Sequence, residues 1–501
     1  MSAIKYITTF YSSERKHQAV GYISPNRYEA AWPRKTFRPL HYSWATANRG
    51  LALTLTLISS MNDDARTCEW QDMDCPRHTN APRHDVTIFG GGPAGIAAAL
   101  QCSNAGMNTL LVECGSMLGG TTTVGGVNFP GLFHAWGKQV IRGYGWQLVE
   151  RCVRECGETL PDFSVVPDRH WKHQVKVNRA VYAMLCDEAL EQAGCHVRLF
   201  TMPAALEPDD ESWRVTVCGK TGIESIDTRY IIDCTGDANV VALAGGELRV
   251  SEPEHQPGTQ VCRVSGYDLK SLDMERINRN LARAVESGEV RPHDVGWSAS
   301  EPNIKGWLKN HGENVNHIPD INARDSAGRT QIQFAGRRSI LRMYRFLKHQ
   351  PGLEQLQIDY LAPECGVRET AVIVGEDTVT VDDYCSGRRW DEALCFSFYP
   401  VDLHTSSGTG LKKRYLEPGI VPTVPRGALL PRGLGRIAAA GRCVSSDREA
   451  NSALRVQASS MAMGQSAGAT VAVAARRNED LRNADLDMIR ELLREHDAVV
   501  P

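Results

Sequence analysis

The chain has no CxxC pair and no cysteine or histidine grouping at metal-ligand spacing, although it carries 15 cysteines in 501 residues. That excludes a zinc ribbon and a cysteine-bound iron–sulfur relay. The cysteines are odd in number and scattered. Several, such as Cys102, Cys186 and Cys234, sit in strand-like or helix-like text, where cysteine behaves as a small buried hydrophobe. The expectation is a reducing, cytoplasmic setting without a disulfide framework. Cys152 and Cys156, one helical turn apart, read as packing rather than redox chemistry. No apolar run reaches the roughly 18 residues of a membrane span. Charge is nearly balanced, with 56 Lys and Arg against 59 Asp and Glu. Neither nucleic acid nor an anionic membrane is therefore an expected partner. The length leaves room for two or three domains and a large core.

The informative stretch is Asp85 to Glu113, DVTIFGGGPAGIAAALQCSNAGMNTLLVE. Val86 to Phe89 are β-branched or aromatic, as a buried strand requires. Gly90, Gly92 and Gly95 form G-x-G-x-x-G. The first glycine permits a sharp turn, the second lets a pyrophosphate approach the backbone, and the third lets the helix pack close to the strand. Ile96 to Leu100 continue as an alanine-rich helix whose N-terminus offers free N–H groups to phosphate. A second strand, Met107 to Val112, ends at Glu113. An acid about 20 residues beyond the glycines can accept hydrogen bonds from ribose hydroxyls. The full fingerprint specifies a dinucleotide fold with an unphosphorylated adenosine ribose; it does not separate FAD from NAD.

Residues 1–80 do not resemble the rest. Up to Ser60 they hold eight Lys or Arg against two acids, with no lasting period. Three readings stay open: a transit segment, a disordered extension, or translated sequence upstream of a start at Met61. The last two together are preferred, and the segment has no role in the expected fold. After Glu113 the text is CGSMLGGTTTVGGVN, a glycine-threonine loop able to approach a large ligand or to serve only as a surface loop. Helices are predicted over 138–156 and 178–193, a strand over 196–200, and a small hairpin over 213–219 and 222–227. Arg229 to Gly245 reads as a strand ending at Asp233, then Thr235-Gly236-Asp237, then a small-residue helix. Gly236 falls at a strand's carboxyl end, where α/β sheets bind ligands. Asp237 reads at least as readily as a helix N-cap. Residues 247–365 are polar and varied, with helices predicted over 271–287 and 335–349 and with Trp297, Trp307 and His317 in loop-like text.

Beyond them, Arg368, Glu369 and Thr370 cluster beside strand-like sequence, and His404 closes an apolar stretch. Arg368 could clamp a carboxylate or polarise a carbonyl, and His404 could act as general acid or base. From spacing alone, a buried Arg–Glu pair and a packed histidine are the better reading. A strand over Arg436–Ala440 leads to Gly441-Arg442, and a long Ala- and Gly-rich helix follows Ala453. Its N-terminal dipole would face the ligand.

Together these segments resemble the FAD-dependent oxidoreductase family of the two-dinucleotide-fold flavoproteins, which include the glutathione reductases and fumarate reductase flavoproteins. GGGPAG, E…GGT…GGVN, D-TGD, G-RET…GE, YP-D-H and AGR…LRV…MGQSAG occur in order from Asp85 to about Ala475. The resemblance implies an α/β fold: a Rossmann-like FAD-binding domain of glutathione-reductase type over 83–246 and 425–478. An inserted mixed α+β substrate or cap domain would span 247–424, and a terminal helix or tail 479–501. It implies non-covalent FAD. Gly90, Gly92, Pro93, Ala94 and Gly95 would line the pyrophosphate and Glu113 the adenosine ribose, with Cys114 also among the cofactor-binding residues. Gly120 and Thr121 would lie by the phosphates or ribityl chain, and Ala204 near the adenine. Thr235, Gly236, Asp237, Gly441 and Arg442 would approach the cofactor, with Arg455 and Val456 by the flavin. The same resemblance raises Arg368 and His404, with Glu369, to catalytic candidates.

Departures narrow the function. No CxxxxC follows Glu113, which argues against disulfide reduction. No second GxGxxG follows a strand, so a nicotinamide domain is not evident. GRCVSSD replaces the GD-type turn of aromatic hydroxylases, which counts against monooxygenation. The expected enzyme passes a hydride between a small organic substrate and the flavin N5, as a dehydrogenase or oxidase. The alternatives are a reductase of an activated C=C bond and a flavin-stabilised scaffold subunit. Self-association and the electron acceptor stay open.

Overall fold

The computed structural model describes residues 83–250, 254–296, 303–405 and 410–501. The N-terminal extension and Trp297 lie outside the described residues.

The first half supplies β1 (Arg83–Phe89), α1 (Pro93–Asn104), β2 (Thr109–Val112), α2 (Tyr144–Glu155), α3 (Arg179–Gln192) and β3 (His196–Arg198). There follow β4 (Met202–Asp209), β5 (Ser212–Gly219), β6 (Gly222–Asp233) and the short α4 (Asn239–Leu243). The middle holds β7 (Leu248–Val250), β8 (Gly258–Ser265), α5 (Met274–Glu286), β9 (Gly312–Ile318), α6 (Ser326–Lys348) and β10 (Gln357–Leu361). Beyond it lie β11 (Ala371–Ile373), β12 (Val401–His404), β13 (Leu411–Arg414), β14 (Ile437–Ala439), α7 (Arg448–Leu454), α8 (Gln457–Arg477) and α9 (Leu486–Glu495).

The main sheet runs β3-β2-β1-β6-β5-β4, and β14 also pairs with β6. The pairs β3–β2, β2–β1, β1–β6 and β6–β14 are parallel, as crossover helices dictate. The second strand of the small hairpin and the core strand, expected separately, are one continuous strand. The first half of β6 is antiparallel to β5, and its second half is parallel to β1 and β14.

Helix α1 is buried from Ala94 to Cys102 because its small side chains face both the sheet and α8. A Cβ on Gly464 would lie 2.0 Å from the Ala94 carbonyl oxygen, and one on Gly468 would lie 2.8 Å from that of Ala98. The helices therefore touch backbone to backbone, which fixes where α1 begins.

The middle segment has a core of its own. An antiparallel sheet β9-β8-β10 packs with α5 and α6 through Val264, Ile277, Leu281, Met343 and Phe346. Trp307, read as loop, is buried there in a short helix, and His317 lies on β9. The helix expected from 335 starts nine residues earlier, where Asp325 caps it by accepting from the Gly328 N–H at 2.7 Å. Val379, Leu394, Val401 and Val424 return to the core that holds β1 and α8. The 13 cysteines among the described residues are free thiols. Cys152 is buried and its thiol is pushed up to about 12 by burial, as packing requires. No helix among the described residues is long and apolar enough to cross a membrane.

Candidate active site

The three glycines of the turn at the carboxyl end of β1 stand in different surroundings. Gly90 has φ +102° and its Cβ would meet the Cys234 carbonyl oxygen at 2.4 Å, so β6 lies against it. A Cβ on Gly95 would sit 1.8 Å from the Gly90 carbonyl oxygen. A Cβ on Gly92 would meet nothing within 4 Å. Gly92 caps α1 without a side-chain hydrogen bond, and Pro93 follows at the first turn. The first-turn N–H groups of α1 therefore point past Gly92 without intrahelical partners.

Glu113 is tied to this turn. Its carboxylate accepts from the Gly91 N–H at 2.7 Å and the Gly115 N–H at 2.6 Å. Cys114 is exposed and donates to the same carboxylate. Gly119 donates to the Gly91 carbonyl at 2.8 Å. A Cβ on Gly120 would lie 2.8 Å from the Gly92 Cα, so the second glycine loop closes onto the first. Thr121 is exposed on that loop. Thr122 and Val127 bind Gln457 at the head of α8, and Ala458 donates to the Pro130 carbonyl at 2.7 Å. Val456 caps α8 without a side-chain hydrogen bond. Ala204 is exposed at a register shift on β4, three residues after Thr201, whose N–H donates to the Glu113 carbonyl at 3.0 Å.

Asp237 is not a cap. The helix cap is Asp233, whose carboxylate accepts from Val240 and Val241 N–H at 2.9 and 3.0 Å and from Thr235. Asp237 lies one residue before the left-handed Ala238 and turns inward. There its buried carboxylate receives Arg442, Arg329 at 2.6 Å and Thr370 at 2.7 Å. Arg442 also donates to the Gly236 carbonyl at 2.8 Å and to that of Val367. These bonds join β6, β14, α6 and the Arg368 segment. Burial alone would raise the Asp237 pKa, but Arg442 and Arg329 hold it below the ordinary range. Asp237→Ala leaves two guanidinia without their carboxylate and should cost about 3–5 kcal/mol. Calorimetry should show a melting temperature lower by about 4–6 °C. The lowered pKa means that the contribution is present above the unfolded value of 3.8 and lost as pH falls below it.

Arg368 and His404 line one cavity of about 1130 Å³, together with Thr121, Val456, Gln457 and Arg455. His404 ends β12. Its Nε2 lies 3.4 Å from a carboxylate oxygen of Asp402, two residues earlier on the same strand face. Lys413 on β13 stands 3.8 Å from the other oxygen. The ring of His317, from β9, meets that of His404 edge-on at 4.9 Å between centroids. Arg368 donates to His317 Nε2 at 3.3 Å and to the Pro257 carbonyl. An arginine offers no acceptor, so His317 Nε2 is the unprotonated nitrogen. Burial, then Arg368, pushes His404 down to about 4 against the pull of Asp402. Burial, then Arg455, lowers the Arg368 guanidinium to about 9.

Glu369 faces away from this cavity. Its buried carboxylate accepts from the Gln256 backbone and side chain at 2.6 and 2.8 Å and from Arg448 at 2.9 Å. The ion pair weighed for Arg368 and Glu369 is thus Arg448–Glu369. Gln256 passes the constraint on, since its side-chain oxygen accepts from the His404 N–H at 3.3 Å. Asp402 and His317 were missed as site residues. D-x-H on a strand was a legible signal for Asp402; nothing local marked His317.

The donor set fits a dinucleotide. The backbone approach at Gly92 and the unpartnered first turn of α1 follow β1, while the buried Arg455 Nε, which has no hydrogen-bond partner, and the head of α8, whose cap makes no side-chain bond, lie at the junction of α7 and α8. The profile of the family described as FAD dependent oxidoreductase matches residues 85–493. The chain belongs to that family, and it is an FAD-dependent enzyme of α/β fold. A nicotine dehydrogenase of Pseudomonas putida is 31% identical over 125 residues, 22% of this chain; the match spans 25% of that relative. Among solved structures, the anhydrotetracycline hydroxylase OxyS from Streptomyces rimosus aligns over 83% of this chain and 66% of its own, at 15% identity and TM-score 0.40. A geranylgeranyl bacteriochlorophyll reductase-like protein from Thermoplasma acidophilum aligns over 83% of each chain at 13% identity and TM-score 0.39.

Proposed function

We propose that the protein is a dehydrogenase or oxidase acting on a small organic substrate seated between the FAD domain and the 247–424 region. The carrying observation is the convergence of Arg368, His317, His404 and Asp402 on the cavity that also reaches Thr121, Val456 and Gln457. In this reading Gly92, Ala94 and Gly95 receive the pyrophosphate, and Glu113 the adenosine ribose. Gly120, Thr121, Arg455 and Val456 flank the ring end. FAD held there supplies a hydride acceptor at the flavin N5.

The chain's own groups do the rest. Arg368 orients the substrate through a fixed guanidinium. His404 is neutral at neutral pH, because burial and Arg368 hold its pKa near 4, and so accepts the substrate's proton. Asp402 orients the ring and stabilises the charge that forms on it. The reverse polarity, reduction of an activated C=C bond, would use the same guanidinium to stabilise developing negative charge.

The anaerobic visible spectrum of the purified protein, before and after NADH or NADPH, decides between them. A flavin band that persists with nicotinamide and bleaches with an organic substrate is the expected result. Bleaching by nicotinamide would overturn it in favour of the reductase.

A further inference from the structure

We propose that the substrate is an organic carboxylate whose anionic group docks on Arg368, an inference that rests on reading this cavity as the substrate site. The case is a charge balance. Five cations, Arg368, Arg455, Lys176, Lys309 and Lys413, line the cavity against two carboxylates, Asp402 and Glu313. Both acids are committed. Glu313 pairs with Arg179, and Asp402 lies between His404 and Lys413.

Neither arginine has such a partner at ion-pair distance, although Asp402 attracts both from further off. Arg368 donates to the Pro257 carbonyl and to a neutral imidazole. Arg455 reaches the Gln256 side-chain oxygen at 3.5 Å and the Asp402 carbonyl oxygen at 3.3 Å, and its Nε is buried without a partner. Among the described residues no carboxylate comes within ion-pair distance of either guanidinium. A recessed guanidinium satisfied only by neutral acceptors is poised for an anion.

Arg455 follows Leu454 directly at the head of α8, on the side where the ring end of FAD is placed above. Arg368 stands further along, against β9 and the 257 segment, and is left for the substrate. A carboxylate on Arg368 brings its neighbouring carbon between Arg368 and His404, since His317 touches both. A neutral substrate would leave the guanidinium unpaired. An ammonium would meet two arginines and no free acid. Phe129, Trp171 and Tyr399 line the same cavity and supply flat apolar surface for the substrate body.

The test uses the flavin-loaded full chain and follows the flavin absorption band. Benzoate, phenylacetate and succinate are titrated beside benzamide and benzylamine. At least one carboxylate should perturb the band saturably and bind about tenfold or more tighter than the amide and the amine. Arg368→Gln should keep its flavin and lose about 10- to 100-fold in carboxylate affinity, with Arg368→Lys recovering part of it. The proposal falls if no carboxylate binds, if benzamide or benzylamine binds as tightly, or if Arg368→Gln changes nothing. It also falls if that variant loses FAD with carboxylate affinity kept after FAD is restored, which would assign the guanidinium to the cofactor. A wild-type protein that takes up no FAD would instead defeat the cofactor reading beneath it.

Discussion

Gly92→Val is expected to give a folded, colourless protein. The reason lies in the contrast among three glycines of one turn. Gly92 has φ −80° and ψ −174°, a conformation open to any residue. Its Cβ would touch no protein atom; valine is a poorer helix cap than glycine, which should cost the apo fold about 1 kcal/mol and leave it folded. Two methyl groups there occupy the path by which a pyrophosphate reaches the α1 N–H groups. FAD affinity should fall by at least about 100-fold, a change of roughly 2.7 kcal/mol. Gly95→Ala separates the two effects. Its Cβ falls 1.8 Å from the Gly90 carbonyl oxygen, so the helix must move and the fold itself is destabilised. The measurements are bound flavin at its visible band, calorimetric titration with FAD, and the melting curve of the apoprotein. A yellow Gly92→Val protein would refute the pyrophosphate assignment.

His404→Gln is expected to lower kcat by about 100- to 10,000-fold while leaving FAD binding intact. Glutamine can keep a hydrogen bond toward Asp402 but cannot carry the proton. The wild-type rate should rise with pH through about 4 and stay level across neutrality, because the neutral imidazole is the working form. The variant should lose that inflection. Stability follows the same sign. A histidine whose folded pKa lies below its unfolded value of 6.5 contributes fully above 6.5 and progressively less as pH falls toward 4. An unchanged kcat would remove His404 from the chemistry and leave it a packed residue beside Asp402.

The glycine turn and its helix were legible because their constraints are local. The three glycines act within six residues of one another, and Glu113 closes a loop of standard length. The errors came from partners distant in sequence. Asp237 reads as a cap because an acid beside a helix start usually is one. What overrides this is the arrival of Arg442 from β14 and Arg329 from α6, while Asp233 takes the capping bonds. The first turns of α6 look irregular because Arg329 is spent on that ionic cluster and Gln333 on the Cys365 N–H, which leaves Ile332 to pack against Ile318, Ala323 and Cys365. Glu369 stands next to Arg368 in the chain, yet extended backbone sends adjacent side chains to opposite sides, one into the cavity and one to Arg448. His317 comes from the middle sheet, and its nearness to His404 is set by packing that no local pattern encodes.

The close seat of α8 on α1 has a consequence for how the protein is made. The glycine turn leaves the ribosome early, but Gly441, Arg455 and the head of α8 emerge more than three hundred residues later. Until they arrive, α1 lacks the surface that Gly464 and Gly468 press against it, β6 lacks its β14 neighbour, and Asp237 lacks Arg442. Contacts that bridge so much chain form late and slowly. Cofactor loading therefore belongs to the end of synthesis. A cell short of flavin should accumulate finished, protease-sensitive apoprotein rather than stalled nascent chains.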